Sequence, residues 1–179
     1  MSKNRIKFLI CFAVILYSTI AFISGEAFRS IGWTTSATFT LYYLYDLFLW
    51  KFNPLEKMPK LEKKYEARYL SSHNNREEEY VWIVSVRQNL STIKISETSK
   101  DEGKNAPSHS CCGVIFQSEN KNWQICFTYL TYPNINLREK GDNMHYGTCL
   151  LDIDDNMNIS GNYFTDRKTN GTVKWVSVR

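Results

Sequence analysis

The chain has 179 residues, 43% of them hydrophobic and 15% aromatic, with a formal net charge of +4. That length suits one domain with room for an appendage, and that composition supports a real core. Five cysteines with no Cys-x-x-Cys pair, beside only three histidines, exclude a zinc ligand set and read as reduced thiols, mostly small core residues in a reducing compartment.

Residues 6–23 are almost wholly apolar, with no charge between Lys7 and Glu26. A membrane-spanning helix needs roughly 17–25 such residues. A cleaved signal peptide is the competing reading, with Lys3, Arg5 and Lys7 as its basic start and Gly25-Glu26-Ala27 as a weak cleavage site. The apolar core is longer than a signal core and a second apolar run, 31–52, follows at once, which favours a span. Trp33 and Trp50 stand near the ends of that second run, where interfacial aromatics belong. Lys3, Arg5 and Lys7 precede the first run, Arg29 lies between the two, and Lys51, Lys57, Lys60, Lys63, Lys64 and Arg68 follow the second. The positive-inside rule then places both termini in the cytoplasm, joined by a short outer loop. Within the second run, Thr35, Thr38, Tyr42 and Asp46 share one helical face, a polar stripe suited to helix–helix contact in lipid. Asp46 is also close enough to the cytoplasmic end to reach water there. The first 52 residues thus read as a two-helix transmembrane hairpin, and 53–61, with Pro54 and Pro59, as a stiff linker.

From residue 62 to 179 the chain breaks into short alternating runs. They fall at 65–71, 80–88, 90–97, 110–118, 123–132, 145–153, 157–167 and 172–178, with a polar tract at 98–107 and a loop at 133–143. Tyr80, Trp82, Val84 and Val86 share one face; so do Ile93 and Ile95, then Trp123, Ile125, Phe127 and Tyr129, then Gly147, Cys149 and Leu151, then Val173 and Trp175. Asp154-Asp155-Asn156 marks a turn, and Asn170-Gly171 is the strongest hairpin signal. No helix-period segment of useful length follows residue 64. Eight such strands predict an antiparallel up-and-down barrel of lipocalin-like form, with a β-sandwich as the alternative. An eight-stranded barrel is filled by side chains or holds one small ligand.

The run 157–167 carries the most information. Its odd positions begin apolar, pass Gly161, and end in Tyr163, Thr165 and Arg167, as a barrel wall with a ligand at its mouth would. The inward polar groups of the other strands are also donors and aromatics: Tyr65, Tyr69, Tyr129 and Thr131. Arginine grips phosphate bidentately and aromatic faces stack on bases, so the set suits a nucleotide-like anion. The 152–163 stretch fails as a calcium loop, because Met157 stands where glycine is needed and Tyr163 where the bidentate glutamate is needed. No phosphate-binding loop, nucleophile elbow or paired-histidine motif occurs, and nothing points to an enzyme, a metal or a resident cofactor.

In layout, and most closely in Gly161-x-Tyr163-x-Thr165-x-Arg167 followed by Gly171 and a last strand, the chain resembles the membrane-anchored β-barrel effectors of CBASS anti-phage systems. The resemblance implies a two-pass protein of the bacterial inner membrane that takes a cyclic di- or oligonucleotide made by a partner nucleotidyltransferase, the messenger's identity being open. It implies ligand-driven self-association and membrane disruption leading to cell death, with no DNA or RNA partner. Carried over by position, Tyr163, Thr165 and Arg167 lie in or beside the pocket. Two other readings stay open: a membrane-tethered carrier of an apolar ligand, and a ligand-free interaction module.

Overall fold

The computed structural model of the chain describes residues 3–24, 27–71, 78–100, 106–139 and 143–178, and their side chains from residue 12 onward except those of 24, 27–32 and 78. The chain divides into two units, 1–56 and 57–179.

The first unit holds two helices packed on each other, α1 (Lys3–Ser24) and α2 (Ala27–Leu47), then a short 3-10 turn, Leu49–Phe52. The second helix thus starts four residues earlier and stops sooner than the 31–52 run suggests. Among the described residues no helix is long and apolar enough to cross a membrane, so the expected two spans are not met there. The side chains of 6–11, part of the first apolar run and including Cys11, are outside what is described, as are residues 25–26 of the weak cleavage site. Several hydroxyls fold back onto their own helix: Ser18 to the Val14 carbonyl, Thr19 to Ile15, Thr38 to Thr34 and Thr40 to Ser36, at 2.8–2.9 Å. On the polar stripe, Thr35 is exposed, while Thr38, Tyr42 and Asp46 are half-buried.

The second unit is a closed antiparallel barrel of eight strands in sequential order: β1 (Lys64–Ser71), β2 (Glu78–Gln88), β3 (Ile93–Ser99), β4 (Ser108–Gln117), β5 (Trp123–Thr131), β6 (His145–Ile153), β7 (Ile159–Thr165) and β8 (Asn170–Ser177). β8 returns to β1 with Ala67 opposite Trp175, which rules out the sandwich and leaves no free sheet edge. Alternation puts Tyr65, Ala67, Val84, Ile95, Ile125, Phe127, Leu151, Ile159, Val173 and Trp175 inside as the core. The seam between β3 and β4 is the shortest, with Ser96 opposite His109 and Glu97 opposite Ser108. There the Ser110 hydroxyl takes the Ile95 N–H at 2.8 Å in place of a ladder carbonyl. A bulge between Ser110 and Cys112 leaves Cys111 and Cys112 both exposed, instead of one on each face as plain alternation implies. Only Cys149 among the described thiols is a core residue, and all four described are unpaired.

Three hairpins close with the same device. In each, an N–H spans a three-residue loop (Ser118 to Asn122, Asp154 to Asn158, Thr165 to Thr169, at 2.8–2.9 Å) and a non-glycine residue sits at positive φ: Lys121, Met157 and Lys168, at 61–64°. This is the type I turn followed by a left-handed residue. Met157 and Arg167 therefore belong to turns, not to the strand 157–167. Asn170-Gly171 is not a turn at all: Asn170 pairs with Phe164 and Gly171 with Tyr163 inside the β7–β8 ladder. A left-handed L-residue costs roughly 1–2 kcal/mol, of which glycine's extra unfolded-state freedom returns about 0.5–1. Lys121→Gly, at an exposed position, is accordingly expected to raise the barrel's stability by up to about 1 kcal/mol, read as a higher urea midpoint.

One end of the barrel is shut. The Gln88 amide accepts from the Leu61 N–H at 3.0 Å and donates to the Pro59 carbonyl at 2.8 Å, and Leu61 packs on the core. The Glu62 N–H donates to the Tyr65 phenol at 2.9 Å. The other end receives the β1–β2, β3–β4, β5–β6 and β7–β8 connections. The third of these holds a short helix, α3 (Ile135–Glu139), where a plain loop is expected. Asn134 caps it through its side-chain oxygen to the Leu137 N–H at 3.0 Å. The whole first connection, 72–77, and parts of the next two, 101–105 and 140–142, lie outside the described residues.

Candidate functional site

A cavity of about 460 Å³ opens at this second end, within the size range of small-molecule sites. Its floor is a layer of four side chains that succeed the apolar core by one inward step. Tyr69, Glu97, Tyr129 and Tyr163 line the cavity and are each 8% exposed or less. The Tyr69 ring meets Tyr163 edge-on at 5.5 Å and Trp82 edge-on at 6.3 Å. Its hydroxyl donates to Glu97 Oε1 at 2.7 Å. Glycines make room for these rings. Gly147 lies opposite Tyr129 and Gly171 opposite Tyr163; a Cβ on Gly147 would run into the Tyr129 phenol, and one on Gly171 into the Leu70 carbonyl and then the Tyr163 ring. Gly171 thus admits the close approach of the Leu70 carbonyl and the Tyr163 ring, which is why its turn-like sequence misleads.

Above the floor stands a ring of hydroxyls. Ser108 and Thr131 are 2.6 Å apart, as are Thr165 and Thr169. Ser71 bonds the Tyr163 phenol. At the rim, the β7–β8 turn is braced on β6: Tyr146 N–H donates to the Asp166 carboxylate and Asp166 N–H to the Tyr146 carbonyl, both at 3.1 Å. This holds Arg167 over the opening, where its Nη2 donates to the Asn143 carbonyl. His145, Tyr80 and Trp82 complete the wall.

Of the residues expected in the pocket, Tyr69, Tyr129, Thr131, Tyr163, Thr165 and Arg167 line this cavity together. Tyr65 does not. It is fully buried at the closed end, 5.8 Å from Trp175, two inward positions below Tyr69. Glu97 and Trp82 were not expected there. The signal for Glu97 was the alternation itself: Ile93 and Ile95 point inward, so the next residue on that face is Glu97. Among the described residues no cluster of three His, Cys, Asp or Glu could hold a metal ion.

Burial dominates the electrostatics of the floor. It raises the phenols of Tyr69, Tyr129 and Tyr163 above their usual value, so they stay neutral donors. It lifts the Glu97 carboxyl from 4.5 to about 7, against the opposing pull of the Tyr69 hydrogen bond. Below pH 4.5 Glu97 is neutral whether the chain is folded or not. Between 4.5 and about 7 the unfolded chain gives up the proton while the folded chain keeps it, so Glu97 weakens the fold as pH rises through that window. At about 1.4 kcal/mol per pKa unit the loss is about 3 kcal/mol. Glu97→Gln is expected to remove it. The variant's advantage over wild type in urea should grow from pH 4.5 to 7.5 and then level off; a constant difference would refute the buried-acid account.

A family model described as Cap15, cyclic dinucleotide receptor domain, matches residues 56–177. No curated protein matches the chain.

Proposed function

The chain belongs to the Cap15 cyclic dinucleotide receptor domain family, and on that premise we propose that its barrel takes a cyclic dinucleotide into the cavity beneath Arg167, as the sensor of a CBASS anti-phage effector. The observation that carries this is the layout of the cavity: a guanidinium at the rim, hydroxyls below it and aromatic faces on the wall. Arginine suits a phosphate, the hydroxyls suit phosphate oxygens and ribose, and Trp82 with Tyr80 suits stacked bases. The rim guanidinium, the hydroxyls and Glu97, set among the aromatic faces, favour a ligand that carries polar groups over a wholly apolar one. Titration of the full chain with a panel of cyclic dinucleotides, followed by calorimetry, tests it. Micromolar or tighter binding of at least one member is expected, and no binding across the panel would end the reading.

The first unit is, on this proposal, the output arm, which associates with a bacterial inner membrane and gathers into disruptive assemblies when the barrels bind ligand. Exposed Val14, Ile15, Phe22, Ile23, Phe39 and Tyr43 support an apolar surrounding. So do the self-satisfied hydroxyls of Ser18, Thr19, Thr38 and Thr40, which need no water. Thr35, Thr38, Tyr42 and Asp46 are the proposed contacts between copies. Fractionation of cells expressing the full chain checks the anchor, and recovery wholly in the soluble fraction would exclude it.

A further inference from the structure

The cavity separates its charges by depth. Among the described lining residues Glu97 is the carboxyl, on the floor and 5% exposed, while Arg167 is exposed at the rim. A cyclic dinucleotide has two kinds of surface to satisfy, phosphates and base edges. A phosphate is drawn to the rim guanidinium and finds no counter-charge among the described side chains of the buried floor, so the part of the ligand that reaches Glu97 is a base. Base edges carry the ring acceptors and exocyclic donors that a carboxyl can pair with. The Tyr69 hydroxyl holds Glu97 Oε1 at 2.7 Å, which fixes the carboxyl's orientation and leaves Oε2 as the oxygen for a ligand.

We propose that Glu97 reads a nucleobase edge at the cavity floor as the neutral acid, so that in alkaline solution each cyclic dinucleotide binds together with one proton. This rests on the sensing role argued above and adds which residue distinguishes bases and what the binding is coupled to. The surroundings favour the neutral form. Tyr69 of β1, Tyr80 and Trp82 of β2, Ser108 of β4 directly opposite, Tyr129 of β5, Cys149 of β6 and Tyr163 of β7 bring no positive charge. Among the described lining residues the groups that can carry one are His145 and Arg167, both toward the rim, and Asp166 beside them is acidic. Burial already holds the empty site's carboxyl neutral up to about pH 7. Two phosphates arriving nearby add like charge, which strengthens its hold on the proton. The proton leaves a solvent or buffer acid, which keeps the electron pair, and forms an O–H bond at Oε2; no bond of the ligand changes, and the O–H then donates to a ring acceptor such as a purine nitrogen or pyrimidine carbonyl.

Calorimetric titration of the full chain with cyclic di-AMP, cyclic di-GMP and the mixed cyclic AMP–GMP, at pH 8 in two buffers of different ionisation enthalpy, counts the protons taken up. For whichever of the three binds, the wild-type count is expected to be close to one, with affinity falling about tenfold per pH unit above pH 7. Glu97→Gln is expected to take up none and to show a flat pH profile. His145→Asn, which keeps Glu97, is expected to keep the uptake. Zero uptake by wild type, or uptake that survives in Glu97→Gln or vanishes in His145→Asn, overturns the proposal. If Glu97→Gln binds too weakly to titrate, the His145→Asn count decides alone. Binding without proton uptake sinks the floor's role only, whereas no binding by wild type at pH 6 sinks the sensing role and this proposal with it.

Discussion

Arg167→Glu is expected to lower affinity for a cyclic dinucleotide at least a hundredfold while shifting the unfolding free energy by no more than about 0.5 kcal/mol. The two numbers have different origins. A hydrogen bond to a charged group contributes about 1.5–3 kcal/mol, which is roughly ten- to a hundredfold in affinity, and reversing the charge adds repulsion at the mouth. Stability is insensitive because Arg167 is exposed in a turn, where substitutions away from the core change little. The turn itself is held by Asp166 and Tyr146, which the substitution leaves in place. Wild-type affinity should also weaken as salt is raised, and less so in Arg167→Ala, since screening acts on an exposed charge pair. Titration by calorimetry beside urea unfolding measures both quantities. An Arg167→Glu chain that binds as tightly as wild type would place the phosphates elsewhere.

Trp175→Ala is expected to cost the barrel about 3–5 kcal/mol, as deletion of a buried Trp generally does. Trp175 is wholly buried, its ring 5.8 Å from Tyr65 and 5.9 Å from Phe127, and it sits opposite Ala67 across the seam that closes the barrel. Against a domain stability of roughly 5–15 kcal/mol, that loss is enough to leave the variant partly unfolded under mild conditions. Trp175→Phe should behave very differently. The indole Nε1 has no hydrogen-bond partner in its buried position, and an unsatisfied buried donor costs about 1–3 kcal/mol. Phenylalanine removes that donor while leaving a smaller void, so the two changes offset and the variant should lie within about 1.5 kcal/mol of wild type. Urea midpoints at fixed pH compare them. Equal losses for the alanine and phenylalanine variants would show that the indole's volume, not the balance of void against orphaned donor, governs this site.

The candidate site is a mixture of what could be read and what could not, and single residues show why. Tyr69 and Tyr163 were legible as inward because β-strand side chains alternate with period two. Arg167 was legible as belonging near the mouth because it lies just past the inward Tyr163 and Thr165. Yet it reaches the rim from a turn braced on β6, not as the last inward residue of a strand. Glu97 obeyed the same alternation but conflicted with the expectation that charge points outward. Only the enclosure that raises its proton affinity resolves that conflict. Tyr65 shows the opposite failure. It shares a face with Tyr69, and no local pattern says which of them lies under the core and which above it.

The residues alone determined the number of strands, their alternation and therefore which side chains enter the barrel, because those properties depend on spacing along one strand. They also placed the apolar N-terminal helices ahead of an all-β unit. The tertiary structure decided depth, closure and the use of special residues, because these depend on register between strands far apart in the chain. Pairing of β1 with β8 sets Tyr65 against Ser177 and Tyr69 against Val173, sending one phenol to the closed end and the other to the cavity floor. Pairing of β7 with β8 sets Gly171 under Tyr163, turning a strong hairpin signal into a packing site. A bulge in β4 moved Cys111 and Cys112 onto the same surface. In each case a local preference of modest size gave way to packing across strands, where the larger free energies lie.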